Sequence, residues 1–307
     1  MEEHYEKLNI LGKGSFGVVY KVMRKSDQKI LACKELHYGI MTEKEKNQLV
    51  NEVNILRELT HSNIVQYYER IIDKKQAKIY IITEYCSGGD LSQLLKKCKK
   101  DKDYIAEDVI WKIFTQLSLA INECHNRTPK ILHRDVKPAN IFLDENNNIK
   151  LGDFGLSRIL GENSQFCKTH VGTPYYMSPE QITEAYYDES SDIWSCGCLL
   201  YELAALKPPF EATNHLSLAI KIKSGQFDRI PLRFSEDLHQ LITSMLDADP
   251  SKRPSVMEIL KLPLISLRIK EKKLKEKHAQ IKLKEEELRQ KEQQLKMWEQ
   301  SLIKQIN

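Results

Sequence analysis

Long apolar runs are missing from this 307-residue chain. None approaches the roughly 18 residues that a membrane span needs, so no transmembrane segment is expected. The opening MEEHYEKLNI carries acids where a secretory leader needs basic residues and has no apolar centre, so no signal peptide is read there. Paired cysteines are missing too. The seven cysteines form no CxxC, have no histidines at zinc spacing and are odd in number. They read as reduced thiols of the cytosol or nucleus, with no disulfide framework. Nor is there a strong charge of one sign: the formal net charge is +4, much of it near the C-terminus, too little to argue for nucleic acid.

What remains is a core-forming composition, 41% hydrophobic and 29% charged, which excludes disorder of the whole chain and allows one large or two smaller domains. Three segments follow one another. From Tyr5 to about Glu84, YEKLNILGKG, GVVYKVM and KILACKEL alternate as strands, and QYYERIID and KIYIITEY read as a hairpin around KKQA. One helix interrupts them: Thr42 and Glu45 have capping-box spacing, and Leu49, Val53 and Leu56 recur at helical intervals. From Cys86 to about Ile265 helices dominate. EDVIWKIFTQLSLAINECH is amphipathic, whereas SDIWSCGCLLYELAAL is apolar nearly all round and stops at Pro208 and Pro209, as a helix buried within a lobe would. NIFLDENNNIKLGDF reads as two short strands around an Asn-rich turn. From Leu267 onward Lys, Glu, Gln and Leu prevail without Gly or Pro, so this segment is a long helix or nothing.

Chemistry enters with GKGSFGVV, Gly12 to Val19, a GxGxxGxV between two predicted strands. Glycines let backbone amides approach phosphate, although a glycine-rich hairpin turn fits this pattern alone as well. A strand rather than a helix follows, which disfavours a dinucleotide-binding crossover. Lys34 ends the third strand, and Glu52 shares the apolar face of Leu49 and Leu56. An inward carboxylate needs a cation, and Lys34 is the candidate; the alternative is that Glu52 curls out to solvent. In HRDVKPANIFLD, Asp135, Lys137 and Asn140 crowd together, and Asp153 follows in LGDFGL. Asn140 and Asp153 offer the oxygen ligands Mg²⁺ prefers, and Asp135 could accept a proton from a hydroxyl. Each alone is a loop residue; the ordered set matches the protein-kinase signature.

Residues 5–265 resemble a eukaryotic protein kinase along their length. The resemblance implies an α+β bilobal fold, with a β-rich lobe over about 5–84 and a helical lobe over about 85–265. ATP would lie under the glycine loop, Leu11, Gly12, Lys13, Gly14, Ser15, Phe16, Gly17, Val18 and Val19. Lys34, oriented by Glu52, would hold its α and β phosphates, and Glu84 to Cys86 would form the hinge on adenine behind the gatekeeper Thr83. It further implies Asp135 as catalytic base, Lys137 on the γ-phosphate, and Asn140 and Asp153 on Mg²⁺. Glu180 would pair with Arg253, and Asp192 would brace the catalytic loop. Lys137 and GTPYYMSPE resemble serine/threonine rather than tyrosine kinases, so the substrates expected are proteins with Ser or Thr acceptors.

Among the hydroxyls after Asp153, Thr169 is expected to be the regulatory phosphosite, docking on Arg134, whereas Thr173 reads as structural. Finer resemblance, in EYCSGGDLSQLL, VGTPYYMSPEQ and SDIWSCGCLLYELAALKPPF, is to the NIMA-related kinases, particularly their centrosomal subgroup. That implies cell-cycle, centrosome or ciliary roles, with a site in the cytoplasm, at the centrosome or in the nucleus. Val136 and Ser178 depart from the common Leu and Ala, and Thr83 is smaller than the subgroup's usual Met.

In the tail, Leu267, Leu274, Ile281, Leu288, Leu295 and Leu302 recur every seven residues. The second column leaves the seam half-polar: three residues on come Lys270, Lys277, Lys284, Lys291, Trp298 and Gln305, and four residues on Glu271, His278, Glu285, Glu292, Glu299 and Ile306. This leaves a solitary charged helix or a weak parallel coiled coil over 267–307, and the subgroup's similar zipper favours a homodimer. The lysine run of residues 95–103 reads as a solvated helix end. The alternative function is an ATP-binding scaffold working through the coiled coil, which the intact Lys34, Asp135, Asn140 and Asp153 disfavour.

Overall fold

The computed structural model describes residues 1–14, 17–152, 175–183 and 187–306. Its contacts divide the chain into two units, Met1–Leu260 and Lys261–Asn307.

The first unit opens with five antiparallel strands, β1 (Tyr5–Gly14), β2 (Gly17–Arg24), β3 (Ile30–His37), β4 (Tyr67–Asp73) and β5 (Lys78–Glu84), in the order β1-β2-β3-β5-β4. Their register sorts the side chains. Tyr20, Cys33 and Ile82 stand in one row, and Cys33 and Ile82 join Tyr5, Val22, Leu31 and Tyr80 in a buried cluster. The alternate row, Val19, Lys34 and Ile81, lies on the opposite face because successive strand residues point to opposite sides. Gly17 is required where β2 passes β3, since a Cβ there would sit 1.8 Å from the Glu35 carbonyl oxygen.

Helix α1 (Glu43–Glu58) starts on the expected capping box: Thr42 N–H donates to Glu45 Oε2 at 2.7 Å, and Glu45 N–H returns a bond to Thr42 Oγ1 at 3.3 Å. Leu49, Val53 and Leu56 are buried from it, as their spacing requires.

Helices α2 (Leu91–Asp101) and α3 (Glu107–His125) follow, then the short antiparallel pair β6 (Ile141–Leu143) and β7 (Ile149–Leu151). Beyond them lie α4 (Pro179–Ile182), α5 (Glu189–Ala205), α6 (His215–Ser224), α7 (Glu236–Met245) and α8 (Val256–Lys261). Helix α5 is the buried one. Trp194 stacks on Phe210 at 5.4 Å between ring centroids, and Gly197 allows close approach to α7, because a Cβ there would lie 2.9 Å from Met245 Cβ. Ahead of the prolines, Leu206 takes a left-handed conformation (φ 58°) and returns its N–H to Glu202 O, closing α5.

The second unit contains α9 (Pro263–Ile306), one continuous helix of 44 residues. At 1.5 Å per residue it extends about 66 Å. Leu267, Leu274, Ile281, Leu288 and Leu295 are all exposed along it.

Candidate active site

Between His125 at the end of α3 and β6, the chain carries HRDVKPAN. What holds this loop is Asp192, in the first turn of α5. Its carboxylate is fully buried and accepts the His133 and Arg134 backbone N–H groups, each at 2.9 Å, and the Tyr187 hydroxyl at 2.5 Å. His125 Nε2 lies 2.9 Å from it. Burial alone would raise the Asp192 pKa; hydrogen bonds and the nearby histidines outweigh it and hold the group below the usual carboxylate value. With both N–H groups captured, Arg134 is kept at φ 67°, a left-handed conformation uncommon for a side chain with a Cβ.

His133 is buried and its two ring nitrogens do different work. Nδ1 accepts the Asp135 N–H at 3.3 Å, so Nε2 carries the proton it donates to Gly152 O at 3.0 Å. Gly152 N–H donates in turn to Asn140 O at 2.9 Å. The residue just before Asp153 is thus fastened from both ends of the catalytic-type loop. A Cβ on Gly152 would meet Phe142 at 2.8 Å.

Asp135 Oδ2 accepts from Lys137 Nζ and Asn140 Nδ2, both at 2.8 Å, and Asn140 Nδ2 also donates to Asp135 O at 2.9 Å. The three side chains thus meet at one carboxylate. An acceptor oxygen beside an ammonium can take a hydroxyl proton while the cation offsets charge on a neighbouring group. Because the Asn140 amide nitrogen is spent on Asp135, its carbonyl oxygen is the atom left to act as a hard ligand suited to Mg²⁺. Among the described residues no three His, Cys, Asp or Glu side chains gather for a metal. Asp153 lies outside those residues, as do Ser15, Phe16, Thr169 and Thr173.

Beside the loop is a cavity of about 520 Å³, a volume suited to a small organic ligand. Of the predicted residues, Leu11, Gly12, Val19, Lys34, Thr83, Glu84 and Cys86 line it; Lys13, Gly17 and Val18 occupy β1 and β2 without lining it. Asp135, Lys137 and Asn140 are outside the lining, which reaches Gly152. The Glu52 side chain is not among those described, so its pairing with Lys34 stays an expectation. The cavity also recruits Ala32, Val65 and Phe142, unnamed from sequence. Ala32 was within reach, two positions before Lys34 on the same strand face. Burial, reinforced by Glu84, pushes the Cys86 thiol up to about 12.

Farther out, Arg253 grips Glu180 with Nη1 to Oε1 at 2.7 Å and Nη2 to Oε2 at 2.8 Å, as expected. Two hydroxyls of GTPYYMSPE are committed. Tyr176 donates to Glu202, and buried Ser178 caps α4 in a reciprocal pair with Gln181, which accounts for its departure from Ala.

The family model described as a protein kinase domain matches residues 5–265. A probable serine/threonine-protein kinase nek2 of Dictyostelium discoideum is 57% identical over 273 residues, covering 89% of this chain and 65% of that protein. Serine/threonine-protein kinase Nek2 of Homo sapiens is 56% identical over 267 residues, 86% of this chain and 60% of its own length. G2-specific protein kinase nimA of Emericella nidulans is 42% identical over 297 residues, 89% of this chain and 42% of that protein. The chain therefore spans less than two thirds of these relatives.

Proposed function

The chain belongs to the protein kinase family, in its NIMA-related serine/threonine branch, and we propose that it transfers the γ-phosphoryl group of ATP to Ser and Thr hydroxyls of proteins. The observation that carries this is Asp135 held between Lys137 and Asn140, each at 2.8 Å, beside a cavity of nucleotide size.

In this reading adenine lies against Ala32 and the Glu84 to Cys86 segment, and Lys34 meets the phosphates. Asp135 orients the acceptor hydroxyl and takes its proton as the bond to phosphorus forms. Lys137, on the same carboxylate, offsets charge on the transferring group. Asn140 and Asp153 would hold Mg²⁺, which when bound supplies charge neutralisation on the phosphate oxygens. Asp192 touches no substrate and acts by holding the loop.

Activation follows from phosphorylation of Thr169, a gain of about two negative charges received by the exposed guanidinium of Arg134. The engagement of Tyr176 and Ser178 makes those hydroxyls poor alternatives. The exposed column Leu267, Leu274, Ile281, Leu288 and Leu295 supports a parallel homodimer, which raises the local concentration of one Thr169 near the other active site. The resemblance, and the words G2-specific in a relative's name, support a role in the cell cycle with a centrosomal or cytoplasmic site.

The test is incubation of the full chain with Mg-ATP and casein beside an Asp153→Ala control, with phosphosites mapped by mass spectrometry. Phosphate on casein Ser or Thr and on Thr169, absent from the control, is expected. ATP binding without transfer would overturn catalysis in favour of a scaffold. Activation independent of protein concentration would overturn the dimer.

A further inference from the structure

Among the contacts around the cavity, one ion pair has no part in the chemistry above. Lys150, on β7, places Nζ 2.7 Å from Oε1 and 3.0 Å from Oε2 of Glu84, the last residue of β5. Its side chain is 14% exposed and that of Glu84 24%, so water screens the pair only in part.

The surroundings make this pair a fastening. Glu84 N–H donates to Gln66 O at 2.8 Å, and Gln66 N–H returns a bond to Glu84 Oε2 at 3.2 Å. Residues 63–66 are themselves tied to β7: Leu151 N–H donates to Asn63 O at 2.8 Å, Val65 N–H to Leu151 O at 2.9 Å, and Asn63 Nδ2 to Ile149 O at 2.9 Å. Strand β7 is anchored in turn on α3, where Ile149 N–H donates to Gln116 Oε1 at 2.8 Å. A continuous run of bonds thus leads from a helix of the large lobe to the strand end lining the cavity.

Glu84 N–H to Gln66 O, Leu151 N–H to Asn63 O and Val65 N–H to Leu151 O join backbone to backbone, whereas Gln66 N–H to Glu84 Oε2, Asn63 Nδ2 to Ile149 O and Ile149 N–H to Gln116 Oε1 each use one side chain. Lys150 to Glu84 is the ion pair of this run, and replacing Lys150 removes it while leaving each of the other links in place. Cut it, and a half-buried carboxylate loses its cation at the start of the segment assigned to adenine.

We propose that Lys150 is a positioning residue for the nucleotide: by holding the Glu84 carboxylate from β7, it keeps the end of β5 in the conformation that retains ADP and ATP. The inference rests on the kinase reading. It acts on residence of the nucleotide and not on phosphoryl transfer, because Lys150 lines neither the cavity nor the Asp135 cluster.

The test is the dissociation rate of a fluorescent N-methylanthraniloyl ADP from the full chain, with KM for ATP and melting temperature measured on the same preparations. Lys150→Met is expected to speed dissociation about three- to tenfold, at the lower end of what couplings between contacting residues produce, and to raise KM. Lys150→Arg, which keeps the charge, restores the wild-type rate. In a Glu84→Gln background Lys150→Met has no further effect, since its route through Glu84 is already gone. A Lys150→Met protein that melts earlier but releases ADP at the wild-type rate would overturn the proposal and leave Lys150 a structural residue only. The same full effect in the Glu84→Gln background would overturn it too. Failure of the wild type to bind the analogue at all would instead overturn the kinase reading, and this inference with it.

Discussion

Replacing Glu180 by Gln removes a carboxylate charge that Arg253 holds with both terminal nitrogens, at 2.7 and 2.8 Å, while Ser191 Oγ donates a third bond at 2.7 Å. The Arg253 side chain is fully buried and that of Glu180 is 10% exposed, so water cannot stand in for the lost partner. Removing one member of a buried pair costs about 3 to 5 kcal/mol. The acid itself provides a second measure. Burial, the largest influence, raises its pKa; the hydrogen bonds of Arg253 and Ser191 more than reverse this, taking it from 4.5 to about 2. That difference favours the ionised folded state by about 3 kcal/mol. Arg253 keeps bonds to Asp247 O at 2.8 Å and Ser190 O at 3.0 Å and its place 4.9 Å from the Trp194 ring centroid, so the low end of the range applies.

Urea unfolding followed by tryptophan fluorescence should therefore find Glu180→Gln about 3 kcal/mol less stable than wild type at pH 7. The sign of the pH dependence follows from a folded pKa below the unfolded one. The contribution is fully present above about 4.5 and is lost as pH falls towards about 2, so the gap between the two proteins holds from pH 7 to 5.5 and narrows below 4.5. A gap under about 1 kcal/mol at pH 7, the size of an exposed pair, or one that widens in acid would refute the reasoning.

Asp192→Asn leaves at least one loop N–H facing an amide donor, at about 1 to 3 kcal/mol per unsatisfied group. Its melting temperature and kcat should both fall, and an unchanged kcat would show that the loop does not depend on this anchor. Gly197→Ala forces a Cβ to 2.9 Å from Met245 Cβ and 3.0 Å from Leu246 Cδ2. Such overpacking costs about 1 to 3 kcal/mol, to be read from the urea midpoint. With its thiol at about 12, Cys86 should resist iodoacetamide at pH 8 in the ligand-free protein, and alkylation at the rate of a free thiol, followed by mass spectrometry, would contradict that burial.

Much of this molecule is local information. Strand alternation, the Thr42 to Glu45 box, the apolar wrap of α5 and the heptad leucines each depend on neighbours within a few positions, so β1 to β5, α1, α5 and α9 are legible in the letters. The order of glycine loop, lysine, Asp135, Asn140 and Asp153 identified the family, because phosphoryl transfer demands those groups and the chain carries them in compact motifs. Tertiary structure decided what joins distant positions. Ser178 and Gln181 sit close enough to have been read as a cap, but the chain alone does not say that Tyr176 is spent on Glu202 or that Lys150 reaches Glu84, 66 positions away. It does not reveal that Gly17 must be bare because a carbonyl of β3 lies against it, or that one buried carboxylate collects the N–H groups of His133 and Arg134. A side chain's type states which bonds it can form; only packing, which brings remote backbone and side chains within about 3 Å in water-poor surroundings, selects the ones it does form.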